Sequence, residues 1–172
     1  VTLALPDKIM SAAGLVPEIM SRGLPSTPEG TIAAEARPII ENLLGIASVC
    51  AIGPGMSRYE ESNAVVRTVL EKAGIPLLID ADGINALQGD ADLIKDRQVP
   101  IVITPHPGEM ARLTGMSAEE IQSQRIETSR YYAGQWGVTI VLKGHNTVVA
   151  HPCGQVFVNL NGNPGMATAG SG

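Results

Sequence analysis

Five short segments of this chain combine glycine, proline or asparagine with side chains that can bind an anion or a polar substrate. Glycine lets backbone N–H groups turn toward a phosphate, and lysine adds a positive charge. The chemistry that such segments favour is the binding of a polyanion, typically a nucleotide. The segments are Gly53-Pro54-Gly55, Asp80-Ala81-Asp82-Gly83-Ile84-Asn85, Thr104-Pro105-His106-Pro107-Gly108-Glu109, Lys143-Gly144-His145-Asn146-Thr147 and Asn163-Pro164-Gly165-Met166-Ala167-Thr168-Ala169-Gly170-Ser171-Gly172.

The last segment, residues 163–172, has the strongest anion-binding character. It holds three glycines and two hydroxyl side chains and carries no charge. Its backbone amides can surround a phosphate, and a helix that began just beyond Gly172 would add a favourable dipole. A flexible glycine-rich tail is the alternative. We favour the anion-binding interpretation because further segments of the same character follow predicted strands.

The segment 104–109 holds one histidine between two prolines. The prolines restrict the backbone and so fix the direction of the imidazole at little entropic cost. We therefore favour ligand contact for His106 over a helix cap or a solvated side chain. Glu109 is either the N3 partner of a capping box or a residue that orients magnesium through water.

Each of the three remaining segments has a simpler alternative. Asp80 and Asn85 can hold a hydroxyl, a magnesium ion or a helix N-terminus, and helix capping by Asp82 is equally compatible with the pattern. Residues 53–55 allow close approach of a ligand or form a tight strand-to-helix turn. Lys143 offers an ammonium beside N–H donors, or belongs to an ordinary hairpin turn in which the lysine is solvated.

Apolar runs alternate with helical patterns along most of the chain. Capping boxes at Ser57 with Glu60 and at Ser117 with Glu120 mark two helix starts. Residues 6–33 are rich in proline, glycine and serine and are predicted to be irregular. The predicted strands are 1–5, 48–52, 75–79, 99–103, 138–142 and the hairpin 147–150 with 155–158. The predicted helices are 35–45, 57–73, a short helix within 83–95, 107–115 and 117–136.

Apolar strands without alternation, placed between helices, indicate a mostly parallel sheet covered on both faces. Ligands of such sheets bind beyond the carboxyl ends of the strands. Four of the five segments follow predicted strands, so we expect them at one edge of the sheet, where they would form a nucleotide site. We find no internal repeat and no interdomain linker, which indicates a single domain over residues 1–172.

Composition excludes several classes of protein. Hydrophobic residues make up 44% and charged residues 17% of the 172 residues, which excludes a disordered chain. The net charge is −5 and no basic stripe is present, which argues against nucleic acid as a partner. No apolar run reaches membrane-spanning length. Cys50 and Cys153 lack metal-ligand spacing, and a reducing, cytoplasmic location is the simplest interpretation.

The motifs together resemble one family. Ala51-Ile52-Gly53-Pro54-Gly55, the segment 104–109, Val141-Leu142-Lys143-Gly144 with Thr147, and the run 163–172 are similar to the motifs of the NAD(P)H-hydrate dehydratase family. The similarity spans nearly the whole chain in the family's order, and the last run resembles the bacterial, ADP-dependent branch. The resemblance implies a ribokinase-like α/β/α three-layer sandwich and a domain that extends beyond both ends of residues 1–172.

The resemblance also implies an activity, that of a hydro-lyase in metabolite repair. Such an enzyme uses ADP, with Mg²⁺, to remove water from the S form of hydrated NADH or NADPH. The products are NADH or NADPH, AMP and phosphate. The expected partners are therefore the hydrated dinucleotide and an adenine nucleotide, and the resemblance further suggests a homo-oligomer.

The family's site residues can be assigned in this sequence from the positions of the matching motifs. Gly55 and His106 would contact the hydrated dinucleotide, and no metal ligand is assigned. The residues that would bind the adenine nucleotide are Lys143, Gly144, His145, Asn146, Thr147 and Gly172. The supporting residues would be Asp80, Asn85, Glu109 and Asn163. The family's glycine run ends in an aspartate that acts as general base, a position that would follow Gly172. We therefore expect residues 1–172 alone to lack turnover.

Two other functions remain open at this point. A small-molecule kinase of the same superfamily, acting on a vitamin or a sugar alcohol, would share the Thr-Pro-x-x-x-Glu pattern. Such kinases usually carry asparagine where this chain has His106, so the histidine favours the dehydratase. A non-catalytic nucleotide-binding module is the second alternative. A dinucleotide oxidoreductase is disfavoured because no G-x-G-x-x-G motif opens a helix after an early strand.

Overall fold

The computed structural model describes residues 1–13, 18–95, 97–163 and 165. Two sheets and seven α-helices organise these residues. The strands are β1 Thr2–Pro6, β2 Met20–Leu24, β3 Cys50–Ile52, β4 Leu77–Ile79, β5 Ile101–Ile103, β6 Thr139–Leu142, β7 Val148–Ala150 and β8 Val156–Val158. The α-helices are α1 Met10–Ala13, α2 Arg37–Ile46, α3 Glu60–Lys72, α4 Asp82–Asn85, α5 Pro107–Thr114, α6 Ala118–Ser123 and α7 Arg125–Trp136. Short 3-10 helices cover Asp7–Ile9, Ala34–Ala36 and Ala91–Ile94.

The main sheet has six strands in the order β3-β4-β5-β6-β7-β8. The first four strands are parallel, and β6, β7 and β8 form an antiparallel meander. Because β3 to β6 run in one direction, their carboxyl ends meet at one edge of the sheet. The segments that follow these strands therefore lie side by side, as the sequence predicts.

One face of the main sheet forms the core. Its isoleucines and leucines, such as Ile79, Ile103 and Leu142, pack with Val69 of α3 and Met110 of α5. Strand residues of the other parity share the opposite face, which is more open in the described part of the chain. The strand residues of this open face are Ala51, Leu78, Val102, Thr139, Val141, Val149 and Phe157. Leu78 is 37% exposed and Phe157 64% exposed.

Most predicted elements are confirmed, and so are the α/β class and the mostly parallel sheet. Pro107 opens α5, and Gly115 ends it in the left-handed conformation with φ 75°. Ser117 and Glu120 form the predicted capping box at the start of α6. The predicted long helix 117–136 is divided at Gln124, which has φ −130° and ψ 40°.

Two local predictions were wrong. Ser57 does not cap a helix with Glu60: it has φ 67°, its N–H donates to Asp82, and α3 begins only at Glu60. The region predicted as irregular contains β2, which pairs in parallel with β1. Its sequence Met-Ser-Arg-Gly-Leu has no alternation of apolar and polar residues, so no periodic signal marks it. None of the helices described is long and apolar enough to cross a membrane.

Candidate functional site

An ion pair between two strand ends lies at the centre of the candidate site. Asp80 follows β4, Lys143 follows β6, and the Lys143 ammonium donates to Asp80 Oδ1 at 2.7 Å. Thr104, which follows the intervening strand β5, donates its hydroxyl to the same oxygen at 2.7 Å. Three neighbouring strands therefore contribute one polar side chain each to a single hydrogen-bonded cluster.

Strand parity explains why these three side chains meet. Leu78, Val102 and Val141 lie on the open face of the sheet, and each functional residue comes two positions later in the chain. Because strand side chains alternate with a period of two, Asp80, Thr104 and Lys143 project toward the same side. They border a cleft of about 300 Å³. Its lining is Ala51, Ile52, Pro54, Leu78, Asp80, Thr104, Val141 and Lys143.

The carboxylate of Asp80 is held in its charged form. Burial of Asp80 raises the pKa of its carboxyl. Hydrogen bonds from Lys143 and Thr104, together with the positive charge of Lys143, lower this pKa by a larger amount. The net effect is a pKa below the ordinary value for aspartate. The lysine is consequently held in a cleft. The segment does form a hairpin turn, but the alternative in which its lysine is freely solvated is wrong.

His106 occupies the N-cap position of α5. Its Nδ1 accepts hydrogen bonds from the N–H groups of Gly108, at 3.0 Å, and Glu109, at 3.3 Å. The buried Glu109 carboxylate accepts from the His106 N–H at 2.8 Å, which completes a capping box. Because Nδ1 is an acceptor, the neutral imidazole carries its proton on Nε2. The side chain is half exposed, and its Nε2 lies 3.4 Å from Glu109 Oε1.

The histidine and lysine segments are joined directly. The Lys143 N–H donates to the Pro105 carbonyl at 2.8 Å, one residue before His106. The Thr104 N–H donates to the Ile79 carbonyl at 3.1 Å and links this segment to the Asp80 turn. Three of the five segments therefore converge at the carboxyl edge of the sheet.

The Gly53-Pro54-Gly55 turn packs against the Asp80 turn. A Cβ on Gly53, which has φ +125°, would lie 1.8 Å from the Asp80 carbonyl oxygen. Gly53 is thus required by close contact between two backbones. Gly55, with φ +73°, has open space around its Cα, and a Cβ there would meet nothing within 4 Å. The tight-turn interpretation holds for Gly53, whereas contact of Gly55 with a substrate stays a prediction.

A polar network ties this turn to α5. Asp82 accepts from the Ser57 N–H at 2.9 Å and from the Asn85 side-chain amide at 3.1 Å. Asn85 in turn accepts from Arg112 Nε, on α5, at 3.0 Å. The Asp82 side chain does not cap α4, whose N-cap residue is Ala81. Asp82 and Asn85 therefore connect the loop that holds Gly55 to the helix that His106 caps.

The predicted nucleotide residues divide between two surfaces. Lys143 borders the cleft with Asp80, whereas His145 and Asn146 line a second groove of about 380 Å³ beside the α6–α7 junction. Gly144 and Asn146 have positive φ, +145° and 56°, as expected of a tight β6–β7 turn. Thr147 donates its hydroxyl to the Gly144 carbonyl at 3.2 Å and stabilises this turn.

The glycine-rich run 163–172 falls largely outside the described residues, and Gly172 is among those not described. Asn163 is exposed, and its side-chain oxygen accepts from the Gly165 N–H at 2.9 Å. Its supporting role and the anion cradle of this run stay predictions. Within the described residues, no group of three or more His, Cys, Asp or Glu side chains could hold a metal ion.

Comparison with known proteins decides the family. A sequence model of the NAD(P)H-hydrate dehydratase family matches residues 1–172, the whole chain. The chain belongs to the NAD(P)H-hydrate dehydratase family. It is 44% identical over 174 residues to the bifunctional NAD(P)H-hydrate repair enzyme Nnr of Moorella thermoacetica, covering 100% of this chain and 33% of that protein. It is 37% identical over 125 residues to the ADP-dependent (S)-NAD(P)H-hydrate dehydratase of Neisseria meningitidis, covering 72% of this chain and 41% of that protein.

Solved structures support the same family and its fold. The ADP/ATP-dependent NAD(P)H-hydrate dehydratase of Bacillus subtilis, co-crystallized with ATP and Mg²⁺, gives a TM-score of 0.63 at 28% identity. That match covers 98% of this chain and 66% of that one. A ribokinase-like protein of Enterococcus faecalis gives a TM-score of 0.80 at 29% identity, covering 98% and 55%. The chain thus spans about a third of the Moorella relative and less than two thirds of the Neisseria one.

Some residues of this family member's site were not assigned from the sequence. Thr104 belongs to the quoted motif, but its bond to Asp80 depends on the register between β4 and β5. Arg112, on α5, had no motif signal at all, since a lone arginine on a short helix is usually solvated. Its bond to Asn85 depends on how α5 packs against α4, so no sequence signal marked it.

Proposed function

We propose that this chain acts in the ADP-dependent dehydration of the S form of hydrated NADH or NADPH. The single observation that supports this most is the Lys143–Pro105 backbone bond of 2.8 Å. It joins the segment expected to bind the adenine nucleotide to the segment expected to bind the hydrate. A reaction that transfers a group between these two ligands requires such proximity.

The reaction balances without a redox step. The ring hydroxyl of the hydrate gives up its proton to a general base and attacks the terminal phosphorus of ADP, and the bond to the AMP oxygen breaks. The phosphate so attached is a far better leaving group than hydroxide. Its departure, assisted by the ring nitrogen and followed by loss of a ring proton, restores the double bond. The net products are NADH or NADPH, AMP and phosphate.

In this proposal, Lys143 neutralises charge that develops on the transferred phosphate. Its ammonium is already fixed by Asp80 at 2.7 Å, so little side-chain entropy remains to be lost when an anion binds. The backbone N–H groups of the 144–147 turn supply additional donors near the nucleotide. Asp80 and Thr104 act through the lysine, whose position they set.

His106 would orient the hydrate. Its Nδ1 is occupied by the amides of α5, which fixes the ring and leaves Nε2–H as a donor toward a hydroxyl or amide of the substrate. Asn85 and Arg112 hold the neighbouring loop and helix together, a link that would maintain the spacing between Gly55 and His106. We assign Gly172 to binding of the adenine nucleotide, with Asn163 in a supporting role.

Magnesium enters this scheme with the nucleotide. Mg²⁺ in phosphoryl-transfer sites is usually held by phosphate oxygens, water and one or two carboxylates rather than by a protein cage. The cleft offers one carboxylate, Asp80, and its second oxygen would hold the ion, since Oδ1 accepts from Lys143 and Thr104. Bound magnesium would offset the negative charge of the phosphates. We further propose one domain over residues 1–172 and a cytoplasmic homo-oligomer.

The direct test is an absorbance assay on the purified full-length protein. Hydrated NADH is supplied with ADP or with ATP, and the return of NADH absorbance is followed. We expect turnover with ADP and release of AMP and phosphate in equal amounts. Phosphorylation of a vitamin or sugar alcohol instead would establish the kinase alternative. Calorimetric binding of adenine nucleotide without binding of the hydrate would establish the non-catalytic module.

A further inference from the structure

Arg125 reaches from the start of α7 to the end of β6. Its Nη2 donates to the Leu142 carbonyl at 2.9 Å and to the Lys143 carbonyl at 3.4 Å. Its Nη1 donates to Gln122 Oε1 at 2.7 Å. The guanidinium therefore holds the backbone at the point where β6 becomes the 143–147 turn.

The same guanidinium packs against the turn itself. A Cβ on Gly144 would lie 2.8 Å from Arg125 Nη1 and 3.1 Å from Nη2. Glycine at this position is what allows the planar group to approach so closely. Packing against Gly144 and hydrogen bonds to the carbonyls of Leu142 and Lys143 together hold three consecutive residues where β6 meets the turn.

Ion pairing does not explain why a cation lies here. None of the salt bridges formed by the described residues includes Arg125. Its Nε is buried and has no hydrogen-bond partner within the described part of the chain. Burial also lowers the pKa of the guanidinium. A partly buried cation that gains no counter-charge from the described residues is better explained by the hydrogen bonds that its planar group makes.

We propose that Arg125 is the positioning residue of the Lys143 turn in this family member. The turn is held from two directions, since Asp80 fixes the Lys143 ammonium and Arg125 fixes the adjoining carbonyls. This inference rests on the proposed function, because it assigns the turn to the adenine nucleotide. Lysine cannot replace Arg125, since a single ammonium lacks the planar fork that donates to Gln122 and Leu142 at once.

The experiment compares Arg125→Lys with Arg130→Lys in the full-length protein. Arg130 is exposed on the same helix and serves as the matched control. We expect Arg125→Lys to weaken ADP binding about tenfold, by analogy with the loss of one charge-assisted hydrogen bond. The KM for ADP should rise by a similar factor, while the KM for the hydrate should change less than about twofold. Hydrogen exchange of amides 143–147 should be faster than in the wild type.

Several outcomes would overturn the inference. One is an Arg125→Lys variant with the ADP affinity and amide exchange of the wild type. Another is a variant that loses affinity for ADP and for the hydrate equally and has a lower melting temperature. Either result shows no specific positioning role. Failure of the wild-type protein to bind ADP would instead refute the proposed function. In that case the amide exchange of residues 143–147 still decides whether Arg125 holds the turn.

Discussion

The Lys143 ammonium and the Asp80 carboxylate are 2.7 Å apart, although 63 residues separate them in the chain and β5 lies between their strands. Thr104, which follows β5, donates its hydroxyl to the same carboxylate oxygen. The lysine is therefore positioned before any ligand arrives.

Replacement of Lys143 should selectively weaken nucleotide binding. Lys143→Met removes the one ammonium that borders the cleft among the described residues. A charge-assisted hydrogen bond contributes about 1.5–3 kcal/mol, so ADP affinity should fall about 10- to 100-fold. Titration calorimetry with ADP measures the change. Lys72→Met, on the exposed end of α3, is the control and should bind ADP as the wild type does. An unchanged affinity in Lys143→Met would contradict the assignment.

The Asp80–Lys143 pair should make the stability of the protein depend on pH in acid. The pKa of Asp80 is lower in the folded protein than in the unfolded chain. Its contribution is therefore fully present above the unfolded pKa, about 3.9, and is lost as pH falls through the lower folded value. The free energy of unfolding, measured by urea titration from pH 6 to pH 3, should show this fall.

Two variants separate Asp80 from the other carboxylates. Asp80→Asn should remove its share of the slope, so that stability falls less steeply below about pH 4. Thr104→Val removes one of the two side-chain donors to Asp80 and should give an intermediate slope. Equal slopes in the wild type and Asp80→Asn would show that the ion pair does not stabilise the fold.

Substitutions of His106 should separate its capping role from its role toward the substrate. Asparagine is a good N-cap residue, so His106→Asn should keep stability within a few tenths of a kcal/mol. His106→Ala should lose about 1 kcal/mol because the two amides of α5 lose their acceptor. Both variants should lose affinity for the hydrate, since neither carries Nε2–H.

The cap of α6 provides the matched control for His106. Ser117 accepts from the Glu120 N–H at 3.1 Å, so Ser117→Ala should also cost about 1 kcal/mol. Binding of the hydrate should stay at the wild-type level in this variant. Thermal unfolding and hydrate titration together measure both effects. If His106→Asn bound the hydrate normally, His106 would be a helix cap and nothing more.

Gly53→Ala should strongly destabilise the protein. The added Cβ would overlap the Asp80 carbonyl oxygen at 1.8 Å, and φ is +125°. The atoms that the Cβ would meet belong to the backbone and cannot move aside without strain. We therefore expect the free energy of unfolding to fall by more than about 2 kcal/mol. Gly45→Ala, in α2 with nothing within 4 Å, should instead gain about 0.5–1 kcal/mol. Chemical denaturation measures the free energy of unfolding of both variants. A Gly53→Ala variant as stable as the wild type would refute the close contact.

The sequence predicts those features that depend on nearby residues. The capping box of Ser117, Pro107 at the start of α5 and Gly115 at its end are local signals, and all three are confirmed. Ser57 was misassigned because its N–H binds Asp82, a partner 25 residues away, in preference to a local cap. A bond of that kind depends on the packing of two loops, which no short sequence window contains.

The candidate site was predictable as a location but not as a set of contacts. Apolar strands in one direction place Asp80, His106 and Lys143 at one edge, and this convergence is confirmed. That Asp80 holds Lys143, or that Arg125 supports the same turn from the other side, depends on strand register and on helix placement. Both are products of tertiary packing, so a list of motifs could not contain them.

The contact between Gly53 and Gly83 has an evolutionary consequence. A Cβ on Gly83 would lie 3.1 Å from the Gly53 Cα, and one on Gly53 would lie 2.6 Å from the Gly83 nitrogen. A side chain at either position leaves no room for its neighbour, so neither can change without the two loops moving apart. Directed evolution of this scaffold would gain new specificity by varying Gly55 or its surroundings, with both of these positions left fixed in the library.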